Sequence, residues 1–140
     1  MLNAGDILSV RGPDVIVASS TTNVRDAAKM MSQANVGSVI VKDGQEVRGI
    51  FTERDALIRV TSRSKDPDTT LLGEVMSSPV ATCRLEDNVE EIIERLTSRH
   101  IRHLAIIEDG ALIGIIGLRD IMAATIHEKD QHIRELQEQV

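Results

Sequence analysis

Aromatic residues are nearly absent from this sequence, and their absence argues against one large class of function. Phe51 is the only aromatic residue, and the chain contains no Trp or Tyr. Proteins that hold single-stranded nucleic acids stack the bases on aromatic side chains. The net charge of −6 also lacks the positive footprint that binding to a phosphate backbone requires. We therefore expect no nucleic-acid partner.

Cysteines and long apolar runs are scarce as well. Cys83 is the only cysteine, which excludes an intramolecular disulfide and predicts a small buried thiol. The longest apolar stretch, residues 111–118, is too short to span a bilayer. His100 and His103 fall at a helix end and a strand start, so we expect no metal site. These features predict a cytoplasmic protein without a membrane partner.

The sequence does contain an internal repeat. Residues 49–55 read GIFTERD and residues 114–120 read GIIGLRD, at an offset of 65 residues. Each segment follows an apolar run and opens a second one, which is typical of a strand that turns into a helix. The same offset relates two helical apolar faces. They are formed by Val24, Ala27, Ala28 and Met31 in the first repeat and by Val89, Ile92, Ile93 and Leu96 in the second. Asn23 is the expected N-cap of the first of these helices.

The order of predicted elements in each repeat is strand, helix, strand, strand, helix. One unit of about 55 residues buries too little apolar surface to be stable alone. We therefore expect an α/β fold in which two pseudo-symmetric repeats pack through their sheets and form two clefts. The predicted boundaries are residues 1–60 for repeat 1, 61–72 for a linker, 73–126 for repeat 2 and 127–140 for a helical tail.

The element order, the Gly-x-x-Thr-x-x-Asp pattern and the phrase Ile101-Arg102-His103-Leu104 resemble tandem cystathionine-β-synthase (CBS) domains, also called a Bateman module. The resemblance is to the stand-alone bacterial or archaeal type and covers residues 5–126. It implies an adenosine-containing regulatory ligand (AMP, ADP or ATP, and in some members NAD(H) or S-adenosylmethionine). It further implies a homodimer without catalytic activity, whose ligand state is read by an unknown effector protein.

The resemblance also implies a nucleotide site in each repeat. Asp55 and Asp120 would hold the ribose hydroxyls, and Thr52 would face ribose or phosphate. Ser38 and His103 would face the phosphate. The first strands would line the adenine pocket through Ile16 and Ala81, with the surroundings of Arg11, Asp14 and Met76 at the rim. Arg54 and Arg119 are interpreted equally as surface salt-bridge partners or as phosphate contacts.

The chemistry of these residues fits such a ligand. A carboxylate can accept hydrogen bonds from both the 2′ and 3′ hydroxyls of a ribose, and bonds to a charged group contribute about 1.5–3 kcal/mol. A helix N-terminus presents free amides to a phosphate. Gly49 and Gly114 would leave room for a flat base beside the backbone.

A simpler explanation of the motif needs no ligand. Thr52 and Asp55 have the spacing of a capping box, in which each side chain bonds the other residue's backbone amide. At Gly117 the hydroxyl is missing, yet Asp120 remains, and ribose recognition accounts for both aspartates. The motif therefore predicts two unequal sites, of which the Asp55 site is better formed and the Asp120 site depends on His103.

Two further alternatives stay open. The tail carries Ile126, Ile133, Leu136 and Val140 at heptad-like positions, so it either contacts a neighbouring subunit or is a solvated helix. The whole fold could also act as a nucleotide-independent scaffold for dimerisation. An enzyme is the least favoured reading because the sequence shows no nucleophile–base pair, metal constellation or Walker-type loop.

Overall fold

The structure consists of two compact units, each built on a three-stranded sheet. The computed structural model describes residues 2–139, and Val140 of the predicted heptad-like positions lies outside this range. One unit spans Val15–Val80 and is called here the Asp55 unit. The other, the Asp120 unit, contains the described residues up to Asp14 together with those from Ala81 onward. The predicted α/β class with two similar repeats is confirmed.

The helices and strands follow the predicted order in both repeats. They are α1 (Ala4–Arg11), β1 (Val17–Ala18), α2 (Val24–Ala34), β2 (Ser38–Asp43), β3 (Glu46–Thr52), α3 (Glu53–Asp55), α4 (Leu72–Val75), β4 (Thr82–Cys83), α5 (Val89–Ser98), β5 (His103–Glu108), β6 (Ala111–Gly117) and α6 (Leu118–Glu138). The short α3 continues as a π-helical turn over Ala56–Thr61. None of the helices within residues 2–139 is long and apolar enough to cross a membrane.

The two sheets have the same topology. In the Asp55 unit β1 runs parallel to β2, and β2 runs antiparallel to β3. In the Asp120 unit β4 runs parallel to β5, and β5 runs antiparallel to β6. Both sheets carry a register shift at the corresponding place, after Val41 and after Ile106. In each sheet the start of the middle strand therefore lies beside the end of the last strand.

Local sequence signals explain where the main helices begin. Asn23 accepts a hydrogen bond from the Asp26 amide at 2.8 Å, as predicted, and Asn88 accepts one from the Glu91 amide at 2.9 Å. The buried stripes are narrower than the sequence pattern predicted. Ala28 of α2 and Ile93 of α5 were assigned to the apolar faces, but both are exposed. The 65-residue offset relates these two positions, so both helices bury the same part of the predicted face.

The first helix packs in the unit that is formed mainly by the second repeat. The Gly5-Asp6 pair predicts only a turn that carries Ile7 and Leu8, whereas in the structure Asn3 caps a full helix, α1. Ile7 and Leu8 of α1 join the core of the Asp120 unit, whereas Leu72 and Val75 of α4 join the core of the Asp55 unit. The compact units therefore do not follow the order of the sequence repeats.

In each sheet one carboxylate at the end of the middle strand accepts hydrogen bonds from a loop. Asp43, at the end of β2, accepts hydrogen bonds from the Ser20 amide at 2.9 Å and the Ser20 hydroxyl at 2.7 Å. Glu108, at the end of β5, accepts from the Leu85 amide at 2.8 Å and lies 3.1 Å from Arg84. The backbone hydrogen bond is the main reason that the pKa of each carboxyl lies below its ordinary value.

These carboxylates predict a loss of stability in acid. Because the folded state keeps them ionised to a lower pH, the unfolded chain takes up protons first, and the free energy of unfolding falls as the pH drops through about 4 and below. Asp43→Asn and Glu108→Gln should each flatten this decline in urea unfolding followed by circular dichroism. Asp14→Asn, which changes an exposed turn carboxyl, is the matched control. A decline equally steep in all three variants would contradict the assignment.

Candidate functional site

Asp55 ties the end of β3 to the start of α3. Its Oδ2 accepts hydrogen bonds from the Thr52 amide at 3.0 Å and the Thr52 hydroxyl at 3.1 Å. The Asp55 amide in turn donates to Thr52 Oγ1 at 3.2 Å. The capping box inferred from the spacing is therefore present.

The second oxygen of Asp55 is engaged by two residues that the sequence did not indicate as site residues. Ser77 Oγ donates to Asp55 Oδ1 at 2.8 Å, and Arg59 Nε lies 3.6 Å from the same oxygen. Arg59 also donates to the Met76 carbonyl at 2.7 Å. The Asp55 side chain is 8% exposed as a result. Arg59 could have been found from its i+4 spacing to Asp55, whereas no sequence pattern pointed to Ser77.

Asp120 occupies the same position at the start of α6 but is more open. Its Oδ2 accepts from the Gly117 amide at 2.7 Å and lies 3.4 Å from Arg11 Nε. The side chain of Asp120 is 26% exposed. Gly117 has no hydroxyl, so no side chain caps the first turn of α6. This turn therefore offers both a reachable carboxylate and backbone donors that no capping side chain has taken.

The missing hydroxyl is matched by a larger residue on the neighbouring strand. Gly117 pairs with His103, whereas the equivalent pair in the other unit is Thr52 with Ser38. A Cβ atom at position 117 would lie 2.9 Å from His103 Cδ2, closer than real Cβ contacts allow. The imidazole thus fills the space that a side chain at position 117 would take. Where one unit pairs a serine with a threonine, the other pairs a histidine with a glycine.

The repeated glycines of the two motifs have a different role from the one the sequence suggested. A Cβ at Gly49 would lie 2.5 Å from the Ser77 carbonyl oxygen, and a Cβ at Gly114 would lie 2.7 Å from Leu8 Cδ1. Ser77 also forms a two-bond bridge with Ile50. The segment that precedes β4 therefore occupies the space beside Gly49, and α1, which precedes β1, occupies the space beside Gly114. Neither glycine leaves this space to a flat base.

The remaining predicted residues lie at the same end of each sheet as the aspartates. The carbonyl of Ile16 accepts from the Ile40 amide, and the carbonyl of Ala81 accepts from the Ala105 amide, both at 2.9 Å. Both side chains are half-buried. The predicted residues of each repeat therefore lie at one end of one sheet and are treated as one group per unit. They are Ile16, Ser38, Thr52, Arg54 and Asp55 in one unit, and Ala81, His103, Arg119 and Asp120 in the other.

Each of these helical turns carries one arginine. Arg54 and Arg119 are both exposed in the first helical turns. Within the described part of the chain, no group of three or more His, Cys, Asp or Glu side chains could hold a metal ion. The side chains and backbone amides at these turns can form hydrogen bonds and charge pairs.

Known proteins share this arrangement. The family described as "CBS domain" matches residues 4–62 and 72–127. The chain belongs to the CBS domain family. CBS-domain proteins are generally regulatory modules that bind adenosine ligands.

Three relatives illustrate the similarity. The uncharacterized protein MK0525 of Methanopyrus kandleri is 38% identical over 130 residues, which cover 87% of this chain and 66% of that protein. The CBS-domain-containing protein ATU1752 of Agrobacterium tumefaciens has a TM-score of 0.83 at 28% identity, covering 89% of this chain and 99% of that one. A hexameric CBS-CP12 protein from bloom-forming cyanobacteria has a TM-score of 0.78 at 28% identity, covering 87% and 70%. The chain thus spans just under two thirds of the Methanopyrus protein.

Substitutions can test whether the His103 imidazole occupies the space of a side chain at position 117. They introduce the serine–threonine pair of the other unit at positions 103 and 117. Gly117 has φ −125° and ψ 177°, which Thr also adopts, so its backbone would tolerate Gly117→Thr. The clash of the new side chain with His103 should lower the free energy of unfolding by about 1–3 kcal/mol. His103→Ser combined with Gly117→Thr should recover most of the loss and restore the cap. Urea unfolding followed by far-ultraviolet circular dichroism measures this.

The four proteins (wild type, two single variants and the double variant) form a double-mutant cycle. We expect a coupling energy within the range of about 0.5–3 kcal/mol found for residues in contact. Strictly additive effects, or a Gly117→Thr variant as stable as the wild type, would show that the imidazole does not occupy this space.

Proposed function

We propose that this CBS-domain protein is a regulatory module that binds an adenosine nucleotide at the first turn of α6. The observation that carries the proposal is the state of Asp120, whose carboxylate holds the turn together and is still 26% exposed. A ligand hydroxyl can reach this carboxylate without breaking the bond to the Gly117 amide. The ligand class comes from the family, whose members generally bind adenosine compounds.

The ribose of the ligand is assigned to Asp120. Neighbouring 2′ and 3′ hydroxyls can both donate to one carboxylate, and such charge-assisted bonds are about twice as strong as neutral ones. The half-buried Ala81 at the edge of the same group offers a small apolar surface to the adenine. AMP, ADP and ATP, and also NAD(H) and S-adenosylmethionine, carry this adenosine group, so all five are candidate ligands.

The phosphate is assigned to the N-terminus of α6. The first amides of a helix have no intrahelical acceptor, and the helix dipole favours an anion there. In α3 the Asp55 amide donates to the Thr52 hydroxyl. In α6 Gly117 has no hydroxyl, so the equivalent Asp120 amide is assigned to the ligand. Arg119 is exposed in the same turn, and His103 borders it, so both side chains are assigned to the phosphate.

The Asp55 group is proposed as a second, weaker site. Ser77 and Arg59 already engage Asp55 Oδ1. The predicted partners in this group are Ser38, Thr52, Arg54 and Ile16. A ribose would have to displace the Ser77 hydroxyl before it could bind there. The motif alone ranked Asp55 as the better site, whereas hydrogen bonding and burial favour Asp120.

The output of this module is proposed to be a change that another protein reads. A ligand that binds one conformation better shifts the population toward it, which is sufficient for regulation without catalysis. The proposal places the protein in the cytoplasm as a homodimer that signals to an effector protein. The hexameric assembly of the CBS-CP12 relative supports self-association.

Isothermal titration calorimetry with AMP, ADP, ATP, NADH and S-adenosylmethionine tests the proposal. For the ligand that binds, Asp120→Asn should weaken the affinity about ten- to hundredfold, because bonds to the charged carboxylate contribute about 1.5–3 kcal/mol. Asp55→Asn should change the affinity much less and the stability more, since it disturbs a buried hydrogen-bonded carboxylate. Asp109→Asn, an exposed turn residue with the same charge change, is the control.

The alternative is a scaffold whose fold serves only dimerisation and partner contact. Mass spectrometry of small molecules released from freshly purified protein would reveal a bound adenosine compound and thereby identify the ligand. No heat of binding with any of the five ligands, together with no released nucleotide, would favour the scaffold. An affinity lost in Asp55→Asn but unchanged in Asp120→Asn would reverse the proposed order of the sites.

A further inference from the structure

The C-terminal half of α6 buries none of its side chains, although His127, Glu128 and Gln131 line a groove together with residues of α1. Every side chain from Ile126 to Gln139 is exposed, while the first half of the helix buries Ile121 and Ala124. At 1.5 Å per residue, the exposed part from Ile126 to Glu138 is about 20 Å long. A helix of this length is marginal in water when no other element packs against it.

One face of this helix is nevertheless apolar. Met122, Ile126, Ile133 and Leu136 are between 50% and 58% exposed. Their spacing of four, seven and three residues places them on one side of the helix, as in the apolar seam of a coiled coil. Ile121 and Ala124 lie on another side, against the core. We call these four exposed residues the α6 stripe.

We propose that the α6 stripe packs against the same stripe of a second copy of this chain, with the two helices antiparallel. The inference rests on the homodimer part of the proposed function and assigns a surface to it. Such an arrangement would give the exposed half of α6 the packing that an isolated helix lacks.

The order of residues in the stripe favours a second copy as the occupant. Read from the midpoint between Lys129 and Asp130, the apolar residues occur at nearly equal distances in both directions. Ile126 and Ile133 flank the midpoint, and Met122 and Leu136 lie further out. A twofold interface brings the same patch of both copies together and therefore requires this kind of self-complementary order.

Charge decides the direction of the two helices. Lys129 is the one residue that interrupts the apolar spacing, and Asp130 follows it. In an antiparallel pair centred at this point, Lys129 of one copy lies near Asp130 of the other, so opposite charges meet. A parallel pair would put Lys129 beside Lys129, and like charges at such positions disfavour association.

Sedimentation velocity on the full chain tests whether this surface pairs. Ile133→Gln combined with Leu136→Gln removes half of the stripe but keeps good helix formers, and the variant should dissociate at concentrations where the wild type is dimeric. Leu57→Gln, which changes another exposed apolar residue, is the control and should leave the dimer intact. Circular dichroism checks that the fold is retained.

Disulfide cross-linking tests the direction. Lys129→Cys lies at the proposed axis and should form a covalent dimer on oxidation, whereas Leu136→Cys, about 20 Å from its counterpart in an antiparallel pair, should not. The native Cys83 will not interfere, because it is buried and its burial raises the pKa of the thiol to about 11.

Each outcome bears on the inference. A dimer that survives in the double glutamine variant would overturn the assigned surface and leave the homodimer standing. Cross-linking of both cysteine variants would overturn the antiparallel direction. A wild type that is monomeric at all concentrations would overturn both this inference and the homodimer, while nucleotide binding is measured separately by calorimetry.

Discussion

One carboxylate in each unit fixes the turn from the last strand of the sheet into the following helix. Asp55 accepts from the Thr52 amide and Asp120 accepts from the Gly117 amide, at 3.0 and 2.7 Å. This bond sets the direction in which the helix leaves the sheet, and with it the position of the helix N-terminus. What differs between the units is what else the carboxylate contacts. Ser77 and Arg59 contact Asp55, whose side chain is 8% exposed. Asp120 lies near Arg11, and its side chain is 26% exposed.

Much of the fold could be predicted from the sequence because its signals are local. The offset of the repeats, the asparagine caps and the glycine–aspartate motifs each depend on residues a few positions apart. The exchange of α1 and α4 between the units could not be predicted, since an apolar helical face does not specify which core it joins. The roles of Gly49 and Gly114 were missed for the same reason, because Ser77 and Leu8 approach them from distant parts of the chain.

The two groups of candidate ligand residues show how a duplicated motif can diverge. The hydroxyl of Thr52 completes a cap, so that the first turn of α3 needs no further partner. Gly117 leaves the cap incomplete, and His103 fills the space beside it. The turn that lacks the side-chain cap keeps a carboxylate that is 26% exposed, and this difference is the basis of the proposed ligand site.

We propose the first turn of α6 as the main nucleotide site. The most direct measurement is a titration with AMP followed by ¹H–¹⁵N correlation spectra, which report on each backbone amide separately. We predict saturable shifts at Arg119, Asp120 and His103 before any change at Thr52 and Asp55. Shifts that begin at Thr52 and Asp55, with the α6 amides unchanged at saturation, would contradict the account.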